Sequence, residues 1–420
     1  MISDEAYDEF ERLPVDCYSL ARDWTSKSGR TLSVRSSHAL LAGNRDQVMR
    51  RILSCDGGGI GALFTLQVLK RIELIFRDER HDPNLVLRDE FDFFAGTSTG
   101  AIIATGLAWG MNVKQIEDLY VERAREMFTP VFWLKRHRAW YGMEAVANLF
   151  RAYFHEDDEA RTPALLGTQK LAVGDALKYL LIVVRNASTG SAWPISNNPC
   201  AMFNSPDDPE CNLRLPLWQL LRASTAAPTY FPPERIELGG RPYLFVDGGI
   251  TPFNNPALIA MLMATLPPYR IGWELGVDKL LLVSIGTGVE RIRYKTTRVT
   301  DLHFGHHIKH VSAALIAGAV QEQDLMCRVL GECRFGDEID REIGDLKGPG
   351  LLRADEKKFA YVRYNRMFSA EETASMTERT GQEFTLDNVG LIPYLQDVGA
   401  EYARKFVRRE HLFGAADAVA

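Results

Sequence analysis

The chain lacks any apolar run long enough to cross a bilayer. The best candidate, residues 101–113, is interrupted and falls short of the ~18–20 residues that a spanning helix needs. The first eleven residues are acidic and have neither the basic start nor the apolar centre of a secretory signal. The six cysteines show no metal-type spacing. We therefore expect a cytoplasmic protein with reduced thiols, although Cys200 and Cys211 are near enough in sequence to pair.

An excess of positive charge is also missing. The 420 residues contain 49 Lys and Arg against 55 Asp and Glu, a net charge of −6, which argues against bulk binding of nucleic acid. Residues 289–420 contain no internal repeat or low-complexity tract. The hydrophobic fraction of 46% is enough for one large α/β domain with additions, or for two domains.

The most informative segment is a Gly-x-Ser-x-Gly sequence, Gly96 to Gly100, with Ser98 at its centre. An apolar, aromatic run at residues 91–95 precedes it and predicts a strand, and the apolar residues 101–108 predict a helix after it. Strand, tight turn and helix together are typical of a nucleophile elbow, in which the serine hydroxyl stands above the sheet. The alternative is a helix-capping turn without chemistry.

A second glycine cluster, Gly57 to Gly59, lies in the same kind of context upstream. It follows a predicted strand at residues 51–55 and precedes a predicted helix at residues 62–76, where Leu and Ile recur at helical spacing. Three successive glycines expose backbone N–H groups, which suits an oxyanion hole for acyl transfer. A phosphate loop is the competing interpretation, but no Gly-Lys-Ser/Thr follows and the dinucleotide spacing is met only approximately.

A third candidate is Asp247, which ends the apolar run at residues 244–246 and precedes two glycines. A carboxylate at a strand end lies where α/β folds place their chemistry. Taken alone, the same residue is equally well explained as a turn aspartate that bonds its own backbone.

Apolar runs and helical stripes alternate along the chain, which favours an α/β fold. Nearly continuous apolar runs indicate strands buried on both faces, as in a parallel sheet; they occupy residues 51–55, 91–95, 177–184 and 279–285. Further helices are predicted at residues 113–125 and 143–154. We predict three α/β/α layers around a mostly parallel sheet. Residues 196–212, rich in Asn, Pro, Asp and Ser, are expected to form a surface loop.

These motifs, in this order, resemble the patatin-like phospholipase family. The resemblance covers Asp-Gly-Gly-Gly, Gly-Thr-Ser-Thr-Gly and Asp-Gly-Gly, together with Ala-Ser-Thr-Ala-Ala-Pro-Thr-Tyr-Phe-Pro at residues 223–232. It spans roughly residues 52–256. One departure is that the family's glycine loop usually continues with Arg or Lys and then Gly, whereas Ile60 is here followed by Gly61 and Ala62.

The resemblance implies a lipid acyl hydrolase that cleaves phospholipid esters through a Ser–Asp dyad. Ser98 would be the nucleophile, Asp247 the base, and the Gly57, Gly58 and Gly59 amides the oxyanion hole, so that neither metal nor organic cofactor is required. The catalytic domain would comprise residues 48–345, with an N-terminal extension at 1–47 and a C-terminal extension at 346–420. An ordinary Asp is a weak base, so Asp247 must lie in a partly desolvated site.

Three alternatives stay open at this point. A histidine would make a triad with easier chemistry, in the chain order of α/β-hydrolases; the candidates after Asp247 are His303, His306, His307, His310 and His411. The first four would share a helix face and have a spacing that can bind zinc, but no cysteine or carboxylate in a zinc-motif arrangement accompanies them. A catalytically idle binding module with the same fold is the third alternative.

The sequence also suggests partners. Residues 128–141 combine aromatic side chains with Lys and Arg, which suits a lid at a membrane surface, although a helix connection with core aromatics explains them as well. The chain resembles bacterial patatin-like effectors of antiphage signalling, which implies a cyclic-nucleotide activator and assembly into a homo-oligomer. The region past residue 350, including residues 359–364 with two tyrosines and an arginine, is where we expect such a nucleotide to bind.

Overall fold

The computed structural model describes residues 49–127, 144–290, 304–348, 350–381, 385 and 387–414. The central sheet contains nine of the strands in those ranges: β1 (Arg50–Cys55), β2 (Phe93–Thr97), β5 (Tyr179–Asn186), β6 (Ser191–Ser196), β7 (Glu234–Leu238), β8 (Arg241–Asp247), β9 (Gly276–Ile285), β11 (Glu332–Phe335) and β12 (Phe359–Tyr364). Their order across the sheet is β11-β12-β9-β1-β2-β5-β8-β7, with β6 also paired to β5. The short strands β3 (Ala172–Val173), β4 (Ala176–Leu177), β10 (Val289–Glu290) and β13 (Met367–Phe368) form two small ladders.

Across the sheet, each strand in the series β11-β12-β9-β1-β2-β5 is parallel to its neighbours in that series. The pairs that involve β6, β7 and β8 are antiparallel. Helices lie on both faces, which confirms the predicted three-layer architecture. They are α1 (Ala62–Arg80), α2 (Leu87–Glu90), α3 (Thr99–Trp109), α4 (Val113–Met127), α5 (Glu144–Tyr153), α6 (Leu217–Ser224), α7 (Ala257–Thr265), α8 (Phe304–Leu330), α9 (Ala370–Thr380), α10 (Ile392–Phe406) and α11 (Arg409–Phe413). None of the helices in the described ranges is both long and apolar enough to span a membrane.

Two hydrophobic cores follow from the alternation of side chains along each strand. Leu53 and Phe94 point into one core, which α1, α3, α6 and α10 cover. Their neighbours Ile52 and Phe93 point into the other, where α7 packs. Because successive side chains of a strand alternate between faces, a strand that is apolar throughout must be covered on both sides.

The segment after residue 346 is integrated into this architecture. Strand β12 lies between β9 and β11, and α10 packs on α1, where the rings of Phe64 and Tyr402 are 5.0 Å apart. The division of the chain at residue 346 stays a prediction. The predicted extension at 1–47 and the predicted lid at 128–141 lie outside the described residues.

The cysteines differ from expectation at one position. Cys55, Cys211, Cys327 and Cys333 are buried free thiols, so the Cys200–Cys211 pair that the sequence permits does not form. Cys200 is disulfide-bonded, and the expectation of reduced thiols throughout is therefore wrong at that residue.

The packing of α3 against β1 leads to a testable prediction. A Cβ atom added at Gly100 would lie 2.2 Å from the carbonyl oxygen of Cys55 and 2.6 Å from that of Asp56. Neither backbone oxygen can move without shifting β1, so we expect Gly100→Ala to lower the free energy of unfolding by at least about 2 kcal/mol. Urea denaturation measures the change.

Gly318→Ala is the matched control for this prediction. Gly318 is also helical, in α8, and an added Cβ would meet nothing within 4 Å. Alanine should therefore stabilise that helix by up to ~1 kcal/mol through its higher helix propensity. Equal urea midpoints for the two variants would contradict the close approach of α3 to β1.

Candidate functional site

The site forms where two strands of opposite direction end beside each other. Strand β6 occupies one edge of β5 along residues 181–186. On the other edge, β2 pairs in parallel up to Thr97 opposite Val183, and β8 pairs antiparallel with its last residue, Asp247, opposite Val184. The carboxyl ends of β2 and β8 therefore meet head to head on β5. This brings Ser98, which follows β2, next to Asp247 although 149 positions separate them.

Ser98 occupies a tight turn between β2 and α3. Its backbone dihedral angles, φ 53° and ψ −124°, lie in a region that residues with a side chain rarely adopt. The flanking glycines make the turn possible, because a Cβ at Gly96 would lie 2.2 Å from the carbonyl oxygen of Gly100. The hydroxyl of Ser224, at the end of α6, accepts the Ser98 N–H at 2.9 Å and donates to the Val183 carbonyl at 2.7 Å. The turn is thus held by the sheet, by α3 and by α6.

A short hydrogen bond joins the two predicted site residues. Ser98 Oγ donates to Asp247 Oδ2 at 2.6 Å, and both side chains are buried. The other carboxylate oxygen, Oδ1, accepts the N–H of Gly249 at 2.6 Å. The second bond fixes the rotation of the carboxylate, so that Oδ2 stays directed at the hydroxyl.

The electrostatic surroundings of Asp247 suit a base. Burial raises the pKa of its carboxyl to about 6, and this rise is opposed by the two hydrogen bonds and by the charge of Arg222. Arg222 lies in α6, is fully buried and donates to Thr225 Oγ1 at 3.4 Å. A carboxylate with a pKa near neutrality accepts a proton more readily than an ordinary, solvated aspartate.

The glycine loop lies against the serine. A Cβ at Gly57 would be 3.1 Å from Ser98 Cβ. The Gly57 N–H, however, donates to the backbone carbonyl of Asn254 at 3.1 Å and so is already engaged. Within the part of the chain that the structure describes, the N–H groups of Gly58 and Gly59 have no protein acceptor. Of the three predicted oxyanion amides, those two are available.

The carbonyl oxygens of Gly57 and Gly59 are held by side chains from three other parts of the chain. The Gly57 carbonyl accepts from Asn254 Nδ2 at 3.3 Å and from Thr287 Oγ1 at 3.5 Å. The Gly59 carbonyl accepts from the hydroxyl of Tyr120 in α4 at 2.6 Å. The sequence does not mark Asn254, Thr287 or Tyr120 as site residues, because none lies in a recognisable motif. Ser224 lies in the block at residues 223–232, but only its contacts reveal its role.

The histidine candidates do not complete a triad in the described part of the chain. The Nδ1 atom of His411 lies 2.9 Å from the hydroxyl of Tyr364, and its ring stacks on Phe335, whereas the recorded partners of the Asp247 carboxylate are Ser98 and Gly249. The side chains of the other four, His303, His306, His307 and His310, lie outside what the structure describes.

The geometry is that of an activated serine on an α/β/α domain, in the context of a nucleophile elbow. Residues 53–261 match the family model described as "Patatin-like phospholipase". That part of the chain is therefore a patatin-like phospholipase domain, and the chain belongs to that family.

Two of the similar proteins are phospholipases of the same name. A "cGAMP-activated phospholipase" of Escherichia coli (strain TW11681) is 30% identical over 248 residues, which are 58% of this chain and 63% of that protein. A protein of the same description from Vibrio cholerae is 32% identical over 253 residues, 56% and 64% of the two chains. The match thus spans somewhat less than two thirds of these relatives. Among solved structures, VipD of Legionella pneumophila matches at 13% identity, over 85% of this chain and 66% of the VipD chain. The TM-score of 0.37 is too low for this likeness to support the family assignment.

The raised pKa of Asp247 predicts the pH dependence of the serine's reactivity. A base role for Asp247 requires its unprotonated form, so the rate at which a fluorophosphonate labels the serine is expected to be low in acid and to rise through about pH 6. The rate should level off about one pH unit higher. Labelling for a fixed time at a series of pH values measures this profile. The Asp247→Asn variant should not show the rise in rate near pH 6. A wild-type rate that is constant between about pH 5 and pH 8 would contradict the prediction.

Proposed function

We propose that this chain hydrolyses carboxylic ester bonds of membrane phospholipids through the Ser98–Asp247 pair. The observation that carries the proposal is the 2.6 Å hydrogen bond between the serine hydroxyl and a buried carboxylate. Family membership supports the same reaction class, since residues 53–261 match a phospholipase model.

The proposed reaction has two halves. In the first, Ser98 Oγ attacks the ester carbonyl carbon while its proton passes to Asp247 Oδ2. The resulting oxyanion is held by the N–H groups of Gly58 and Gly59, and the C–O ester bond breaks as the proton moves on to the leaving alcohol. In the second half, Asp247 takes a proton from water, which attacks the acyl-serine, and returns it to Ser98 Oγ as the acyl–oxygen bond breaks and the fatty acid is released. Fixed donors at the oxyanion supply the stabilisation that a weak base alone does not.

A membrane surface is the place where such a substrate is met. The predicted lid at residues 128–141, with its aromatic and basic side chains, belongs to this proposal as the segment that docks on lipid. Its function stays a prediction from the sequence, as does a cytoplasmic location.

Removal of either partner tests the dyad. We expect Ser98→Ala and Asp247→Asn each to lower the release of fatty acid from mixed phospholipid vesicles by about 10³-fold or more, and the double variant to lose little beyond that, since the two residues act as one unit. Mass spectrometry quantifies the fatty acid, and thermal melting verifies the fold.

Two outcomes discriminate the alternatives to the dyad. Near wild-type turnover in a folded Asp247→Asn variant would contradict the dyad, and a wild type without ester hydrolysis would favour the idle binding module. A histidine triad would instead be supported if hydrolysis collapsed in a folded variant in which four residues are changed together to Asn: His303, His306, His307 and His310.

We also propose that a cyclic nucleotide switches the hydrolase on, as part of an antiphage response. The relatives described as cGAMP-activated phospholipases support this regulation. Assembly into a homo-oligomer on activation belongs to the same proposal. Within the region past residue 350 where we expect the nucleotide to bind, residues 359–364 are not available for contact, because this segment is β12 and all six of its residues are buried in the sheet.

Vesicle hydrolysis measured with and without cGAMP tests the switch. We expect cGAMP to raise the rate of fatty-acid release by at least about fivefold, the lower end of typical allosteric coupling. A linear dinucleotide of the same bases is the matched control, and a panel of other cyclic di- and trinucleotides establishes selectivity. A hydrolysis rate that is high without nucleotide and that no cyclic nucleotide changes would contradict the proposed activation, but not the proposed ester hydrolysis.

A further inference from the structure

Asp56, the residue before the glycine loop, takes part in a buried ion pair. Arg363 in β12 donates from Nη1 to Asp56 Oδ1 at 2.9 Å and from Nη2 to Asp56 Oδ2 at 2.5 Å. The two side chains are only 2% and 3% exposed. Two parallel N–H···O bonds fix both the direction and the rotation of a carboxylate. Asp56 is therefore held in a single orientation.

Arg363 reaches Asp56 across an intervening strand. Strand β9 lies between β12 and β1, and Ser284 of β9 is the register partner of Arg363. The Nη1 atom of Arg363 also donates to Ser284 Oγ at 2.7 Å. The guanidinium is thus anchored on β9 and directed at the carboxyl end of β1.

This pair fixes the residue from which the glycine loop begins, whereas the short bond from Tyr120 to the Gly59 carbonyl holds the other end of the loop. The loop that follows consists of Gly57, Gly58 and Gly59, which have no side chains that could anchor it by contacts with neighbouring residues. The side-chain contacts to the Gly57 carbonyl, at 3.3 and 3.5 Å, are longer and uncharged, and such bonds are weaker than a short, charge-assisted pair. The charged contact beside the loop thus comes from β12, far along the chain.

We propose that Arg363 is a positioning residue for the oxyanion hole: by fixing Asp56, it directs the N–H groups of Gly58 and Gly59 at the reacting acyl oxygen. This inference rests on the proposed ester hydrolysis at Ser98. Arg363 lies outside residues 53–261, the part of the chain that the family model matches.

A positioning role has a kinetic signature. Loss of one oxyanion donor typically lowers kcat by ~10²–10³, and a misplacement of about 1 Å lowers a rate by about 10²-fold. Binding of the ground-state ester does not use the oxyanion contacts in full, so KM should change little. The affinity for a trifluoromethyl ketone, which forms a hemiketal oxyanion on the serine, should fall together with kcat.

The experiment compares Arg363→Met, Arg363→Lys and Asp56→Asn with the wild type on a soluble short-chain ester. We expect Arg363→Met and Asp56→Asn to lower kcat by about 10- to 100-fold with KM within about twofold, and to raise the inhibition constant of the ketone by a similar factor. Arg363→Lys should recover part of the loss, because it keeps the charge but not the paired geometry. If Arg363→Met does not fold, Arg363→Lys still tests the inference, because its kcat should lie below that of the wild type while KM stays unchanged.

Arg328→Met is the matched control. Arg328 is also 2% exposed and donates in the same paired manner to Asp324, at 2.9 and 2.7 Å, but neither residue contacts the glycine loop. Its loss should lower the melting temperature and leave kcat per folded molecule unchanged. A folded Arg363→Met variant with kcat within about threefold of wild type, or an equal loss of kcat in Arg328→Met, would overturn the inference.

The same series separates failure of this inference from failure of the proposed function. If the wild type hydrolysed the ester no faster than Ser98→Ala, the proposed ester hydrolysis would be contradicted. In that case hydrogen exchange still tests the pair, because the amides of residues 57–61 should exchange faster in Arg363→Met than in Arg328→Met. Equal exchange in the two variants would overturn the positioning role.

Discussion

The candidate site depends on one edge of one strand. Strand β5 is the only point in the described sheet where a parallel partner, β2, and an antiparallel partner, β8, end on the same edge. A serine after β2 and an aspartate at the end of β8 are thereby brought to hydrogen-bonding distance by backbone pairing alone. The side chains need no long or flexible reach, which lets both be short and buried. Preorganisation of this kind avoids reordering the groups during a reaction.

Burial of the pair creates an electrostatic problem that the surroundings resolve. A carboxylate removed from water favours its protonated form, which is useless as a base. The Gly249 N–H and the buried charge of Arg222 counter that tendency, so that the pKa of Asp247 comes to about 6 instead of rising further. The burial of Asp56, the residue before the glycine loop, is likewise offset by a neighbouring group, because Asp56 is buried together with Arg363. The two aspartates thus differ: one has an uncharged hydroxyl as its close partner, the other a cation.

The sequence predicted the local elements well and the long-range pairing poorly. Continuous apolar runs predicted strands at 279–285 and 177–184, and the structure has Gly276–Ile285 and Tyr179–Asn186. Helical periodicity placed a helix at 113–125, close to the observed Val113–Met127. Both signals are local, so a single sequence carries them. The antiparallel direction of β8 is not local, so the apolar run before Asp247 does not indicate it.

Polar composition was a weaker guide than periodicity. Residues 196–212 were expected to lie on the surface, yet Asn197 and Asn204 are buried, because their amide groups satisfy the backbone. Asn197 Oδ1 accepts the Leu180 N–H at 2.7 Å, and Asn204 Nδ2 donates to the Ser196 carbonyl at 2.8 Å. A single sequence likewise contains no signal that links Arg363 to Asp56 over 307 positions. Only the sheet order brings the two together.

The late position of β12 in the chain has a consequence for synthesis. Strands β1, β2, β5 and β9 emerge from the ribosome before it, and until residues 359–364 follow, β9 has an open edge. That edge is apolar from Leu280 to Val283 and carries unpaired backbone groups, the features that promote strand addition between chains. A nascent or truncated polypeptide that stops before β12 would thus be prone to aggregate. Insertion of the strand closes that edge and, in the same step, brings the guanidinium of Arg363 to Asp56, the residue before the glycine loop.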